Sequence, residues 1–320
     1  MKKIVFIIPY FGKFNNYFQL FLNSCAKNEK IDWLIYTDDK TLYDYPKNVN
    51  VRYTTFEKIK ELFQSKFNYK ISLEKPYKLC DYRPLYGYLF EEDIREYKYW
   101  GHCDTDLIWG DISKFICNEL KKNYDKLFFL GHCTLFKNSL ELKKFFEDNI
   151  NGNIRFKEVY TNKKNCSFDE EFKNSINTIF QKENLKILLK EFEANIYMKS
   201  SNFNLVKYNF FEKKYYIEKR KQSFFTYEEG KIYQYYLENR ELKKEEFLYI
   251  HMQSRKMEVK INFETNVYKI IPNTFENLEY KEINIVNFQK IKKKNFNLHY
   301  LKLRGKNLKI KILKFLNGEK

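Results

Sequence analysis

Lys98-Tyr99-Trp100-Gly101-His102-Cys103-Asp104-Thr105-Asp106-Leu107-Ile108-Trp109-Gly110-Asp111 is the stretch on which the reading of this chain turns. The apolar, aromatic run 97–103 predicts a buried strand. It ends in two carboxylates spaced i, i+2, which on extended chain project toward the same side. Two hard oxygen ligands at a strand end suit a divalent cation whose other positions are filled by phosphate and water. The preceding strand and the following apolar run with Gly110-Asp111 separate this pair from two aspartates in a solvated turn. The expectation is a metal–nucleotide site at Asp104 and Asp106.

Upstream, residues 4–8 form a continuous β-branched and aromatic run, as a parallel strand buried on both faces requires. Pro9-Tyr10-Phe11-Gly12 ends it, and a helix is expected over 17–27. A second strand, 31–36, ends in Thr37-Asp38-Asp39; 49–53 is a weaker third, and 56–67 has helical spacing. Strands alternating with helices predict a mostly parallel sheet, in which ligands bind beyond the carboxyl ends of the strands. Tyr10, Asp38 and Asp104 all stand at such ends. Lys78-Leu79-Cys80-Asp81-Tyr82-Arg83-Pro84 precedes the central strand, with Pro84 suited to the first turn of a helix reaching about 93. Lys78, Asp81 and Arg83 are either a solvated helix face or contacts to the nucleotide. Neither G-x-G-x-x-G after the first strand nor G-x-x-x-x-G-K-[ST] occurs, which excludes a Rossmann dehydrogenase and a P-loop enzyme.

Downstream, 112–120 reads as a helix and 126–130 as a buried strand, followed by irregular helical pattern to about 189. A polar loop, 161–167, leads into Phe168-Asp169-Glu170-Glu171. Residues 203–236 are dense in Phe and Tyr, with a turn at Glu228-Glu229-Gly230, and predict a small antiparallel addition. A short strand, 247–250, delivers His251-Met252-Gln253-Ser254-Arg255-Lys256. From Lys290 the composition turns basic, with Leu301, Leu303, Leu308, Ile312, Phe315 and Leu316 interspersed.

The bulk numbers agree with a folded α/β protein. Across 320 residues, 19% aromatic content excludes disorder, and 9 Gly with 5 Pro speak against a many-turned β-sandwich. The net charge of +17 calls for anionic partners. No RNP, KH or zinc-finger signature accompanies it, so nucleic acid is not expected. Anionic membrane is the expected partner of the basic tail. The six cysteines show no C-x-x-C pair and read as reduced thiols. The N-terminal apolar run is too short for a signal peptide, which predicts a cytoplasmic protein, peripheral on the inner face of the membrane.

Together the first-strand Pro9-Tyr10-Phe11, Lys78-Leu79-Cys80-Asp81, Trp100-Gly101-His102-Cys103-Asp104-Thr105-Asp106 and the late His251 resemble bacterial nucleotide-sugar glycosyltransferases of the GT-A fold. The likeness is to those found with capsule and lipooligosaccharide genes, and covers roughly residues 1–275. Within that group the arrangement resembles retaining galactosyl- and glucosyltransferases related to glycogenin. The resemblance implies a GT-A-like, Rossmann-type, mostly parallel sheet flanked by helices. It implies a catalytic domain over 1–285, with a nucleotide-binding half to about 135 and an acceptor half over 136–285. Residues 286–320 remain as a basic C-terminal extension.

Carried over residue by residue, the likeness makes Asp104, Asp106 and His251 ligands of Mn²⁺ (or Mg²⁺). Two carboxylates with one imidazole suit Mn²⁺ better than Mg²⁺. A sugar linked to UDP would lie against the loops of Pro9, Tyr10, Phe11, Thr37, Asp38, Lys78 and Asp81, and Arg255 and Lys256 would neutralise the departing diphosphate. Met252, Gln253 and the aromatic segment 203–236 would wall the acceptor side. Asp169 and Glu170 are the catalytic candidates. They serve as general base if the enzyme inverts, as nucleophile or charge support if it retains, or are plain first-turn acids of a helix. The expected activity is sugar transfer from a UDP-sugar to a glycan or lipid-linked glycan acceptor in surface polysaccharide synthesis. The rivals are a metal-dependent nucleotidyltransferase and a non-enzymatic basic protein binding membrane or RNA.

Overall fold

The computed structural model describes residues 4–143, 155–170, 174–210, 212–220 and 222–316. Glu171 and the side chain of Phe315 lie outside the described residues. The chain is a mixed α/β protein with several sheets, and its contacts divide it into two units. The first comprises Met1–Thr105 and Ile112–Glu191; the second comprises Asp106–Asp111 and Phe192–Lys320. This division differs from the one expected near residue 135. Strands on both sides of that position pair in one sheet, and the chain leaves the first unit inside the Asp104-Thr105-Asp106 motif.

In the first unit, β1 (Ile4–Tyr10) pairs in parallel with β2 (Ile31–Thr37), which pairs in parallel with β3 (Val49–Tyr53). On its other side β1 takes β4 (Tyr99–Cys103), also parallel. β2 and β4 are buried at every position, which is why their sequences are unbroken apolar runs rather than alternating ones. After β5 (Leu107–Trp109), which belongs to the second unit, come β6 (Lys126–Leu127), β7 (Cys133–Lys137) and β8 (Ile187–Leu188). The sheet order is β3-β2-β1-β4-β7-β6-β8, and β7 runs antiparallel to both β4 and β6. Half of this sheet is thus parallel and the other half mixed. The strand expected over 126–130 stops at Leu127, because Phe128 turns into the left-handed region with φ of 68°.

The helix Phe56–Ser65 starts where the Thr55 side chain accepts the Lys58 N–H, and it buries Ile59 and Phe63. The expected helix through Pro84 is instead a series of short turns: Pro76–Lys78, Leu79–Tyr82, Arg83–Leu85 and Tyr86–Leu89. Pro84 has no N–H to give and crowds the preceding turn. Leu79, Tyr82, Leu85, Tyr86 and Leu89 still reach the core formed with Trp100 and Phe136.

The second unit holds a three-stranded sheet, order β5-β15-β9, from β9 (Ala194–Asn195) and β15 (Tyr249–His251). A hairpin, β10 (Leu205–Asn209) with β11 (Lys214–Glu218), stands beside it in sequence. The antiparallel addition is larger than the sequence suggested. Strands β12 (Phe224–Glu228), β13 (Lys231–Glu238), β14 (Glu241–Phe247), β16 (Glu258–Lys260), β17 (Val267–Ile271) and β18 (Thr274–Asn277) make a six-stranded sheet. Phe203, Phe224, Phe225, Tyr227 and Tyr235 of the aromatic segment are buried in the core, whereas Tyr215 and Tyr216 are exposed.

The expected start of the basic extension is also corrected. The helix Ile285–Lys292 packs Phe288 and Ile291 against Phe224, Tyr235 and Ile271. Fully buried Lys269 pairs with Glu279 at 2.6 Å and Glu276 at 3.3 Å, and Lys294 reaches Glu279 at 2.9 Å. The chain to Asn295 is integral to this unit. Burial pushes the Glu279 carboxyl up, but Lys269 and Lys294 outweigh it and bring it from 4.5 down to about 2. Because the folded value is depressed, its contribution is present above 4.5 and lost as pH falls toward 2. Urea midpoints of the protein and of Glu279→Gln are expected to differ above that window and to converge through it.

Candidate metal centre and arginine hub

The parallel strands β1, β2 and β4 place their carboxyl ends on one edge of the first sheet. Gly12, with φ of 101°, turns the chain after β1 where a side chain would be strained. Its N–H donates to Asp38 Oδ1 at 2.7 Å, and the Phe14 N–H donates to Asp39 at 3.0 Å. Lys13 closes on Asp39 at 2.6 Å. Burial works against ionising Asp39, yet Lys13, the Thr41 hydroxyl and the Phe14 and Thr41 N–H groups hold it well below the usual carboxylate range. Asn15 donates to the Thr105 carbonyl at 3.3 Å, so the loop after β1 also touches the aspartate motif. Phe11 packs against Phe56, and the Tyr10 hydroxyl donates to the Lys13 carbonyl. Pro9 lies within β1 opposite Tyr36.

At the end of β4 the chain does not stay extended: residues 104–106 enter a turn. The Asp104 N–H donates to the His132 carbonyl at 2.9 Å. Its carboxylate bonds to one arm of the Arg83 guanidinium. The other arm donates to the Gly131 carbonyl at 2.8 Å and to Asp169 Oδ2 at 2.9 Å. The Gly131 N–H in turn donates to Glu170 Oε2 at 3.1 Å. A β-carbon on Gly131 would stand 2.5 Å from Asp169 Oδ2, so this backbone must be glycine for the acidic pair to close on it. Burial disfavours the Arg83 charge, but Asp104 and Asp169 more than restore it, and the guanidinium stays charged. Burial pushes the Asp169 carboxyl up to about 7, with Glu170 adding to the rise and Arg83 opposing it. Arg83 is therefore a hub joining the motif's first aspartate to the acidic pair, a role the sequence reading missed.

In the second unit β15 lies between β5 and β9, pairing His251 with Leu107 on one side and Asn195 on the other. His251 Nε2 stands 3.4 Å from Asp106 Oδ1, and Nδ1 is 3.0 Å from Asn195 Oδ1. Gln253 also donates to that Asn195 oxygen, at 2.8 Å. Gln253 and Ser254 both have φ of 54°, an unusual conformation for non-glycine residues. This turn returns the Ser254 N–H to Asp106 Oδ2. Burial pushes the Asp106 carboxyl up, but His251 and the Ser254 N–H prevail and keep it ionised.

Asp104, Asp106 and His251 each offer one ligand atom, all within 4.8 Å of one another. The donor set fits a divalent cation. Asp106 is ionised, and the ring nitrogen remote from it is held by a carboxamide oxygen, the arrangement by which a neighbouring group orients a ligating histidine.

Several other expected site residues are engaged within the protein. Lys78 and Asp81 are buried against each other at 2.6 Å, with Lys78 also donating to the Val159 and Lys164 carbonyls. Asp81 accepts the Cys166 and Phe168 N–H groups. Buried charges demand such partners, and these hold the 159–168 segment. Thr37 is fully buried, its hydroxyl accepting the Asp39 N–H. Arg255 is 2% exposed. It donates to the Ser200 and Ser201 carbonyls and to Asn273, bracing its own unit. Met252 is fully buried, whereas Lys256 and Asp38 are exposed.

A family model described as a family of unknown function, DUF6625, matches residues 6–279, and the chain belongs to that family. No curated protein matches the sequence.

Proposed function

We propose that this chain is a metal-dependent glycosyltransferase with a GT-A-like nucleotide-binding sheet, moving a sugar from a UDP-sugar to a glycan acceptor. The observation that carries the reading is the pairing of Asp106 with His251 across β5 and β15, directly after Asp104. An Asp-x-Asp turn at the carboxyl end of a parallel strand, completed by an imidazole 145 residues later, is a donor set suited to Mn²⁺ beside diphosphate. A cation so held would supply charge neutralisation for the leaving UDP.

The chain's own residues have distinct tasks in this reading. The loops carrying Gly12, Lys13, Asp38 and Asp39 form the edge against which base and ribose lie. Arg83 fixes Asp104 and Asp169 relative to each other. Asp169, poised near neutrality by burial, suits proton transfer with an acceptor hydroxyl at physiological pH. The products test the proposal. Incubation with UDP-sugars, Mn²⁺ and glycan acceptors is expected to release UDP. Release of pyrophosphate from a nucleoside triphosphate and a sugar phosphate would instead establish nucleotidyl transfer. The anomeric configuration of the product then assigns Asp169: inversion makes it the base, retention the nucleophile or charge support.

A further inference from the structure

We infer that the C-terminal helix His299–Leu316 docks this protein on an anionic bilayer, lying in the plane of the surface. The described hydrogen bonds that tie the helix to the second unit lie at its root. Asn297 donates to the Ser201 carbonyl, the Tyr300 N–H donates to the Ser201 hydroxyl, and the His299 ring meets the Met198 carbonyl at 2.9 Å. Beyond that root several apolar side chains face outward. Leu301 is 67% exposed, Leu308 59%, Ile312 50% and Leu316 71%.

These four positions fall within about 80° of the helix circumference at 3.6 residues per turn, so they form one stripe. Arg304 and Lys311 flank it on one side, Lys302 and Lys309 on the other. Leu303, on the opposite side, is partly buried, and the exposed Ile310 and Leu313 lie outside the stripe. Phe296, 86% exposed, and Leu298 add apolar surface just before the helix. Residues 296–316 contain six basic side chains and no acidic one. An exposed apolar stripe edged by lysine and arginine fits the boundary between lipid headgroups and acyl chains. The complete lack of acid commits the surface to anionic lipid, because each nearby lysine or arginine adds attraction to such a bilayer. The helix would lie on the bilayer rather than cross it. No described helix is long and apolar enough to span a membrane.

The corrected boundary decides how this is tested. Cutting the chain near Lys290 would remove Ile291 from a core and Lys294 from its ion pairs, so full-length variants are the proper probes. The native tryptophans Trp33, Trp100 and Trp109 are all buried. A Leu308→Trp reporter therefore reads the helix against a constant background. Its emission is expected to shift to the blue on adding phosphatidylcholine–phosphatidylglycerol vesicles and not on adding phosphatidylcholine alone.

In flotation assays, Lys302→Gln with Lys309→Gln is expected to weaken binding roughly 30-fold at low salt. Leu308→Asp with Ile312→Asp should abolish it while leaving thermal unfolding unchanged. Vesicle binding that survives the aspartate pair, or an unshifted reporter, overturns the inference. Equally tight binding to a mixed-sequence RNA, insensitive to that pair, would show a nonspecific basic arm and overturn it as well.

Discussion

Asp106→Asn is expected to eliminate Mn²⁺-dependent binding of UDP while leaving the fold in place. The asparagine keeps the volume and one carbonyl oxygen, so the Ser254 N–H still finds an acceptor where Asp106 Oδ2 now stands. Alanine would leave that N–H buried without a partner and would mix a folding defect into the result. What asparagine removes is the charge that a hard cation needs. Loss of a group that merely orients a ligand costs metal affinity about 10–100-fold. Asn195→Ala, which frees the far side of the His251 ring, is expected to fall in that range. Asp106→Asn should exceed it. Titration calorimetry with UDP, with and without Mn²⁺, measures both. If Asp106→Asn keeps the metal dependence of the native protein, the cation is held elsewhere and the assignment fails.

The sequence made some of this legible and some not. β1, β2 and the helix Ile112–Leu120 could be placed to within a residue or two. Strands covered on both faces must be apolar throughout, and such runs stand out in a chain with 32% charged residues. Strand direction leaves no comparable trace. Cys103 faces Cys133 across an antiparallel ladder, although nothing in either segment differs from a parallel strand, and the sheet was expected to be more uniformly parallel. The base of the tail was misread for a related reason. Phe288 and Ile291 are two apolar residues among many lysines, and their cap is Asn284 with Asn287 instead of the serine and glutamate of the usual signature. Composition dominated where two well-placed side chains decide.

The site divides in the same way. Asp104 and Asp106 were readable because they are local, two residues apart at a strand end. His251 came from resemblance to a family, since its partner lies across a sheet that sequence alone does not build. Lys78 and Arg83 were recognised as unusual, but their pairing with aspartates of the chain was not foreseen. A lysine or arginine next to a candidate site suggests an anionic ligand, whereas here the anions are the protein's own aspartates. Arg83 meets its partners 21 and 86 residues away, separations at which no pattern of neighbours gives warning.

That placement makes Arg83 the residue whose loss should cost stability most. In Arg83→Met the methylene bulk stays and the guanidinium goes, leaving Asp104 and buried Asp169 without their common cation. Breaking a buried pair from one side typically costs about 3–5 kcal/mol. The penalty must depend on pH, and its sign follows from Asp169. Burial holds that carboxyl at about 7 in the folded chain against 3.8 when unfolded. Below that range it is protonated and needs no cation; as pH rises, ionising it in the folded state draws on Arg83. Without Arg83 the folded value climbs further, so the difference in stability between native and Arg83→Met widens with pH above neutrality. The widening approaches about 1.4 kcal/mol per unit. Asp169→Asn removes the titrating group, and the double variant is expected to be more stable than the sum of the single losses predicts. Urea unfolding at pH 6 and pH 8 on all four proteins gives the cycle. Coupling below about 0.5 kcal/mol at both values would mean that Arg83 and Asp169 are neighbours without being partners. The backbone of Gly131 and His132, which meets both Glu170 and Asp104, would then carry the link between the aspartate motif and the acidic pair.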